Sequence, residues 1–341
     1  MKILLVGPYP PPHGGVSVHV AEIERELISA GVPCKVLDSN RASHSSEFCA
    51  ALGRYALQGW TIHLHTNGHN RKSWLLALAC GLAGKLGGGC VLTLHSGLAP
   101  EYLSPAFRWR RKFAALVSSL YTRVICVNTA IRDTLVSLNV AAERLDVAPA
   151  YIGSLRPMAS LDPALTLWMR HHQPLFSTAL FFRPEYGFDL LLNGIVRLRG
   201  QHPSLGCMVM GSGEQRAQAE SLVRAAGLGD HIRMLGDVDH ETCLSLISQS
   251  DVFLRTTLQD GDSISVREAI AQGVPVVASR VGTRPAGAIL FQPGDVSDML
   301  AGIQQAIDAG RPEFAAVQSG CMDRLMEVYR GTISGGAYAS A

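Results

Sequence analysis

Asp260 and Glu268 are two carboxylates eight positions apart, and this spacing suggests a binding or catalytic site. They bracket a predicted helix start, because residues 263–272 place apolar side chains at helical spacing and a glycine follows. The first turn of a helix carries unpaired backbone amides and a partial positive charge, and both favour a bound anion. We therefore expect an anion such as a diphosphate beside this helix. The groups predicted to face it are the amides of Ser263, Ile264 and Ser265 and the side chain of Arg267.

The elements that would position these residues form two series of short apolar strands with helices between most of them. The first series is predicted near residues 2–6, 34–37, 61–65, 90–94, 123–127 and 145–148. The second series is predicted near residues 178–182, 207–210, 232–235, 252–254, 274–277 and 288–291. Strands that alternate with helices predict parallel sheets covered on both faces. The predicted fold class is therefore α/β, with two Rossmann-like, doubly wound parallel-sheet domains.

The length of the chain predicts the same division, because single cores rarely grow beyond about 250 to 300 residues and this chain has 341. A stretch with glycine, serine and proline at 153–163 is the predicted linker. We expect a first domain at 1–155, a second at 156–312, an amphipathic closing helix at 313–330 and a disordered tail at 331–341. Ligands of doubly wound sheets bind beyond the carboxyl ends of the strands, so two such domains facing each other would share one cleft.

Composition and charge exclude several classes of protein. The net charge of +2 is too small to suggest a nucleic-acid binder, which would normally show a concentrated basic face, so we expect no nucleic-acid partner. The eight cysteines are scattered without a CxxC pair, which predicts free thiols in a reducing compartment. No secretory leader is recognisable, and the longest apolar helix candidate, at 74–84, is about half a membrane span. We therefore expect a cytoplasmic protein.

The segment around the two carboxylates resembles the signature of the retaining glycosyltransferases of family four, which have the GT-B fold. After Glu268, residues 269–279 read Ala-Ile-Ala-Gln-Gly-Val-Pro-Val-Val-Ala-Ser, close to the family pattern. Further short motifs extend the resemblance over most of the chain. They are Gly14, Gly15 and Val16 before the first helix, Thr93 and His95 after a strand, the turn of Gly211 and Gly213, and the run 233–236. The resemblance implies a GT-B enzyme that transfers a sugar from a nucleoside diphosphate sugar to a hydroxyl acceptor, with retention, without a metal ion or cofactor. It also implies that the closing helix at 313–330 crosses back onto the first domain.

The resemblance also implies roles for three of these side chains. Glu268 would accept hydrogen bonds from the ribose hydroxyls of the donor, while His95 and Asp260 would contact the donor sugar. Asp260 stands where the family usually has the longer Glu. Structural interpretations stay open, because Ser265 and Glu268 match a helix capping box and Asp before Gly is typical of a turn. A histidine at a strand end is also often structural.

Other residues are expected to lie near the donor phosphates and the acceptor. Glycines at a turn into a helix let the backbone approach a ligand closely. The residues expected there are Gly14, Gly15, Val16 and Gly211, with Asp262 as an additional carboxylate that the family lacks.

One departure concerns the cations that neutralise the leaving diphosphate. Family members usually carry an Arg and a Lys near the start of the second domain, but Phe181 and Tyr186 stand at the matching positions here. Arg183 lies two positions from the expected Arg and is our candidate replacement. Other candidates are Arg255, Arg267 and Arg284. Two other classes therefore stay open: a nucleotide-sugar epimerase with the same architecture, and a sugar-nucleotide binding or scaffold protein with weakened or lost activity.

A basic and aromatic run on a predicted helix of the first domain suggests contact with a membrane. The run consists of Phe107, Arg108, Trp109, Arg110, Arg111 and Lys112. Such runs are usually solvated helix faces, but basic helices with tryptophan also bind anionic membrane surfaces. Because lipid-linked acceptors are common in the family, the resemblance implies a lipid-linked or glycan acceptor in cell-envelope polysaccharide synthesis. The protein would then be peripheral on the inner face of the membrane.

Overall fold

Two six-stranded parallel sheets organise the chain in this computed structural model, which describes residues 1–42, 46–150, 159–311 and 321–336. The first sheet contains β1 Ile3–Gly7, β2 Cys34–Asp38, β3 Thr61–Thr66, β4 Cys90–Leu94, β5 Arg123–Cys126 and β6 Leu145–Val147, in the order β2-β1-β3-β4-β5-β6. The second contains β7 Leu175–Ala179, β8 Gly206–Met210, β9 Ile232–Gly236, β10 Val252–Arg255, β11 Val276–Ser279 and β12 Ala288–Phe291, in the order β12-β11-β10-β7-β8-β9. The strand order reverses beside β1 and beside β7, which is where ligands of such sheets bind.

Helices cover both faces of each sheet, which confirms the predicted fold class. In the first part of the chain they are α1 Gly15–Ser29, α2 Ser39–Ala42, α3 Ser46–Leu57, α4 Arg71–Gly84, α5 Ala99–Tyr102, α6 Arg108–Ser118 and α7 Thr129–Val136. In the second part they are α8 Pro163–Arg170, α9 Phe188–Leu198, α10 Arg216–Ala225, α11 His240–Ser248, α12 Ile264–Ala271, α13 Val296–Ala309 and α14 Cys321–Gly336. Alternate residues of β1 enter opposite cores, Leu4 and Val6 on one face and Ile3 and Leu5 on the other. Burial of both faces explains why β1 is continuously apolar.

Helix α14 packs on the first sheet although it follows the second sheet in sequence. Its side chains Leu325, Val328 and Tyr329 share a core with residues of β1, and the helix contacts β3 and β4. The helix continues to Gly336, whereas the sequence predicts a disordered tail from residue 331. The small residues there gave no helical signal, but buried Thr332 bonds back to the Val328 carbonyl. The predicted start of this helix at 313 and the boundary at 155–156 lie outside the described residues.

Two strands are displaced from their predicted positions, and β11, at Val276–Ser279, lies two residues after the predicted 274–277. β7 begins at Leu175 and ends at Ala179, three residues before the predicted 178–182. Leu180 and Phe182 are also buried, although they lie in the loop that follows the strand. Apolar character therefore marked burial at this point without distinguishing strand from loop.

Candidate functional site

A cavity of about 430 Å³ lies between the carboxyl ends of the two sheets. Loops that follow β1, β3 and β4 line it on one side, and loops that follow β7, β8, β9 and β10 line it on the other. The predicted site residues that line it are Gly14, Gly15, Val16, His95, Arg183, Gly211, Asp260, Asp262, Ser263, Ile264, Ser265 and Glu268. The fold therefore brings these distant segments together in one place. Arg267 is the predicted site residue that does not line the cavity.

Glycines allow the two domains to touch at the edges of this cavity. A Cβ atom on Gly97, after β4, would overlap the carbonyl oxygen of Asp260. A Cβ atom on Gly14 would lie 2.6 Å from the ring of Phe181. In contrast, a Cβ atom on Gly15 would meet no described atom within 4 Å. Gly14 and Gly97 thus permit close approach of the domains, whereas the space beside Gly15 is open to a ligand.

The capping arrangement of α12 differs from the capping box that the sequence allowed. Ser263 is the N-cap residue, and its Oγ accepts a hydrogen bond from the Val266 amide. Ser265 is already inside the helix, so it does not form a capping box with Glu268. In the described part of the chain, no acceptor is bonded to the amides of Ile264 and Ser265, which line the cavity. Two helix N-terminal donors are therefore available to an anion.

Glu268 is 3% exposed, and it is bonded to a histidine that the sequence analysis did not single out. Its Oε1 accepts a hydrogen bond from Nε2 of His240 at 2.5 Å. The other ring nitrogen, Nδ1, lies 3.4 Å from Oε1 of Glu22 in the first domain. Nothing in the local sequence marks His240 or Glu22 as partners of Glu268, because the three residues meet only when α1, α11 and α12 come together.

Asp260 is held by two buried arginines. Its Oδ2 accepts hydrogen bonds from Arg255 Nε and Arg284 Nη1, each at 3.0 Å, and Oδ1 accepts one from the Gly261 amide. Burial by itself would raise the pKa of Asp260, but the two guanidinium groups outweigh burial and lower it. The carboxylate is therefore ionised and neutralised by protein groups, while Asp260 still lines the cavity.

Asp262 and Arg267 form a second buried ion pair. Arg267 Nε lies 2.9 Å from both carboxylate oxygens of Asp262, and Oδ2 also accepts the Ala150 amide at 2.6 Å. Burial raises the pKa of Asp262 despite the lowering effect of Arg267. The Arg267 guanidinium is therefore turned toward Asp262 and does not line the cavity, and its contact with an anion stays a prediction.

His95 is half-buried and lies beside two buried histidines, His19 and His65. His65 Nδ1 lies 3.1 Å from His95 Nε2, and the ring of His19 lies 4.9 Å from that of His95. Burial lowers the pKa of His19 to about 4 and lowers the pKa values of the other two well below the ordinary value, so the rings are neutral at pH 7. Their ligand atoms lie within 4.8 Å of one another. We assign no metal to this group, and the expected absence of a metal stays a prediction.

The arginines that line the cavity differ in whether other protein groups already bind their guanidinium groups. Arg255 uses Nε for Asp260 and Nη1 for the Ala179 carbonyl. Arg183 lines the cavity, is exposed, and forms no ion pair with any described carboxylate. Its guanidinium carbon lies 5.9 Å from the ring centre of Phe181. Arg183 is therefore the lining arginine best placed to meet a diphosphate.

Helix α6 presents only part of the predicted basic run to solvent. Trp109 is 58% exposed, and Arg108 and Lys112 are also exposed. Arg110 instead stacks over the ring of Phe107 at 3.8 Å, and Arg111 donates hydrogen bonds to the carbonyls of Leu103 and Ser137. None of the helices in the described ranges combines the length and apolar character needed to cross a bilayer.

Two facing Rossmann-like sheets with a shared cleft define the GT-B class of fold. A family model described as glycosyl transferases group 1 matches residues 172–312, and one described as glycosyltransferase family 4 matches residues 56–152. The chain therefore belongs to the GT-B glycosyltransferases, which confirms the predicted resemblance.

Solved structures with the same fold are similar over nearly the whole chain. HepE from Anabaena in complex with UDP-glucose has a TM-score of 0.68 and 15% identity, covering 99% of each chain. Sucrose-phosphate synthase from Thermosynechococcus elongatus has a TM-score of 0.66 and 16% identity, covering 99% of this chain and 98% of the other. At these identities the likeness establishes the fold.

Relatives of known name match over shorter stretches. One component of the human phosphatidylinositol N-acetylglucosaminyltransferase is 30% identical over 125 residues, 36% of this chain and 26% of that protein. The 2-deoxystreptamine glucosyltransferase of Streptomyces kanamyceticus is 24% identical over 224 residues, 62% of this chain and 56% of that protein. The chain thus spans about a quarter to somewhat over half the length of these two relatives.

Proposed function

We propose that the protein transfers a sugar from a nucleoside diphosphate sugar to a hydroxyl acceptor, with retention at the anomeric carbon and without a metal ion. The observation that carries this proposal is the interdomain cavity, which combines a buried carboxylate, helix amides without a described acceptor and an arginine without a described carboxylate partner. These are the groups that a ribose and a diphosphate require. Membership in the GT-B glycosyltransferases supports the same reaction class.

Glu268 is the proposed acceptor for the ribose hydroxyls. His240 occupies Oε1, but no described donor is hydrogen-bonded to Oε2, and the residue lines the cavity. A hydrogen bond to a charged acceptor contributes about 1.5 to 3 kcal/mol. The carboxylate is thus held on one oxygen and offers the other to the nucleotide.

The diphosphate is proposed to bind at the N-terminus of α12. The amides of Ile264 and Ser265 and the guanidinium of Arg183 would share the negative charge that builds on the leaving group. Fixed donors aimed at developing charge lower a reaction barrier without reorganising. In this arrangement Arg183 takes the place of the family's missing cations.

His95 and Asp260 are proposed to orient the donor sugar. His95 is neutral and its backbone lies against the loop of Asp260, so both reach the same part of the cavity. Arg255 and Arg284 hold Oδ2 of Asp260, whereas Oδ1 accepts the Gly261 amide and has a second lone pair for a sugar hydroxyl. The acceptor would attack from the side on which the diphosphate departs, which gives retention.

Nucleotide binding is tested by a thermal-shift panel of UDP, GDP, ADP and TDP sugars, because a ligand that binds the folded state raises its stability. UDP-glucose is the natural first probe, since HepE was solved with it. Glu268→Ala should weaken binding of the best nucleotide about tenfold or more, a change of about 1.4 kcal/mol. The exposed Glu327→Ala serves as the matched control. Unchanged affinity in calorimetry would remove Glu268 from the site.

A binding protein without turnover is the alternative that one observation favours. Phe181 lines the cavity and Tyr186 lies beside Arg255, where family members carry cations. Such a protein would bind the donor but release no nucleoside diphosphate with any acceptor. Arg183→Ala distinguishes the two cases. In an active enzyme the variant should lose more turnover than its loss of donor affinity explains, and Arg183→Lys should restore part of that turnover.

The acceptor is proposed to be lipid-linked or a glycan in cell-envelope polysaccharide synthesis, met at the inner face of the membrane. Exposed Trp109, Arg108 and Lys112 on α6 support contact with anionic lipid. Sedimentation with phosphatidylglycerol vesicles should exceed that with phosphatidylcholine vesicles and should fall in Trp109→Ala. Equal sedimentation of wild type and variant would contradict this contact.

A further inference from the structure

A histidine at the start of α11 lies between two carboxylates that belong to different domains. His240 bonds to Glu268 of the second domain through Nε2, and its Nδ1 faces Glu22 of the first domain at 3.4 Å. The side chains of His240, Glu268 and Glu22 are 11%, 4% and 2% exposed, in that order. Glu22 is also held by Arg25, whose Nη1 lies 3.1 to 3.2 Å from both of its carboxylate oxygens. The imidazole is thus almost enclosed at the place where α1 meets α12.

The two contacts of the His240 ring with carboxylates differ in length. The contact with Glu268 is a short hydrogen bond, whereas 3.4 Å exceeds the usual N–H···O range of about 2.7–3.2 Å. Nδ1 has no hydrogen-bond partner among the described groups. A buried polar atom without a partner is costly. A carboxylate only accepts hydrogen bonds, so a closer approach of the two domains by a few tenths of an ångström would give Nδ1 that partner when both ring nitrogens carry a proton.

Glu22 is separated from the ligand itself. It does not line the cavity, whereas His240 and Glu268 do. An effect of Glu22 on a bound nucleotide must therefore pass through His240 or through the packing of α1 on α12. This separation makes the role of the histidine testable.

We infer that His240 is a positioning residue that fixes the Glu268 carboxylate for ribose and ties it to Glu22, so that nucleotide is held tightly when the two domains are closed. This inference rests on the proposed function of Glu268. His240 restrains Oε1, whereas Oε2 accepts no hydrogen bond from a described donor. Glu22 restrains His240 from the opposite domain, so domain closure and nucleotide binding stabilise each other.

The experiment measures the dissociation constant of the nucleoside diphosphate that gives the largest thermal shift, taken from UDP, GDP, ADP and TDP. His240→Ala, which loses both contacts, should weaken binding about tenfold. His240→Gln keeps a donor for Glu268 and should weaken binding only about threefold. The exposed His171→Ala is the matched control and should bind like wild type. Melting temperatures of the free variants identify any that fail to fold.

A double-mutant cycle tests the tie between the domains. Glu22→Gln should weaken nucleotide binding about threefold in the wild-type background and leave it unchanged in the His240→Gln background. A merely structural role for Glu22 would give the same loss in both backgrounds, and that additive result would overturn the tie. Wild-type affinity in both His240 variants would overturn the positioning role.

Nucleotide binding by the wild-type protein separates a failure of this inference from a failure of the proposed function. If no nucleotide stabilises the wild-type protein or binds in calorimetry, the proposed function fails and the inference fails with it. If the wild type and Glu327→Ala bind but His240→Ala binds equally well, the inference alone is overturned. In an active preparation, the donor KM should rise more than kcat falls in His240→Gln, because its contact acts on the nucleotide and not on the reacting atoms.

Discussion

The buried histidines should make the protein lose stability in mild acid, and His63 allows this effect to be isolated. His63 is fully buried on β3, where Nδ1 meets the Tyr329 hydroxyl at 2.6 Å and Nε2 meets the Thr93 hydroxyl at 2.7 Å. Burial, with a smaller contribution from His19, lowers the pKa of His63 to about 3. The unfolded chain binds a proton there at about pH 6.5, whereas the folded protein does not.

The direction of the effect follows from which state binds the proton. Stability rises with pH wherever the unfolded state binds more protons. The stability that neutral His63 contributes to the folded state is therefore fully present above pH 6.5. This stability is lost progressively as the pH falls toward about 3. Between pH 7 and pH 5 the loss from one such histidine is about 2 kcal/mol, a large part of the roughly 5 to 15 kcal/mol of a typical domain.

The assay is urea unfolding at pH 7 and pH 5 for wild type and His63→Gln, which keeps hydrogen-bonding groups near Tyr329 and Thr93. The variant is expected to be less stable at pH 7, but its loss on going to pH 5 should be about 2 kcal/mol smaller than that of wild type. Exposed His171→Gln should lose as much as wild type. Equal losses in wild type and His63→Gln would refute the reasoning, because they would mean that folded His63 accepts the proton.

Three further perturbations follow from contacts in the structure. Asp260→Asn should lower the free energy of unfolding by about 3 to 5 kcal/mol, because two buried guanidinium groups lose their counter-charge; a change below about 1 kcal/mol in urea unfolding would contradict the ion-pair assignment. Tyr329→Phe should cost about 1 to 3 kcal/mol by leaving His63 Nδ1 without its partner, and a neutral effect would show that another group replaces the hydroxyl. Gly97→Ala should reduce turnover at least tenfold with little change in melting temperature, because its Cβ would overlap the Asp260 carbonyl oxygen and force the domains apart; turnover equal to wild type would show that the contact is not needed.

Much of the fold was readable from local pattern. Buried parallel strands are short and continuously apolar, so β4 at Cys90–Leu94 and β12 at Ala288–Phe291 were predicted with the bounds that the structure shows. β7 was misplaced by three residues because the loop after it is equally buried. The continuation of α14 to Gly336 was missed because the local sequence does not show that Thr332 packs against Gly89 beside the first sheet.

All the predicted site residues except Arg267 line the cavity, but the contacts that they make with other side chains were not predicted. The sequence identified Asp260, Asp262, Arg267 and Glu268 as a group, since they surround one helix start. It could not show that Arg267 is bound to Asp262, because side chains five positions apart in a loop and helix can face several ways. Nor could it show that Asp260 is held by arginines, because Arg284 is 24 positions away.

What the sequence by itself determined is the class of the protein: strand and helix periodicity are local, and the short motifs lie where strands end and helices begin. Only the tertiary structure decided which charged side chains remain available to a ligand. His240 between Glu22 and Glu268, and Arg183 without a described carboxylate partner, both depend on segments from the two domains being brought to one cavity. The physical reason is that pairing of charges depends on distance in space, and distance along the chain does not encode it.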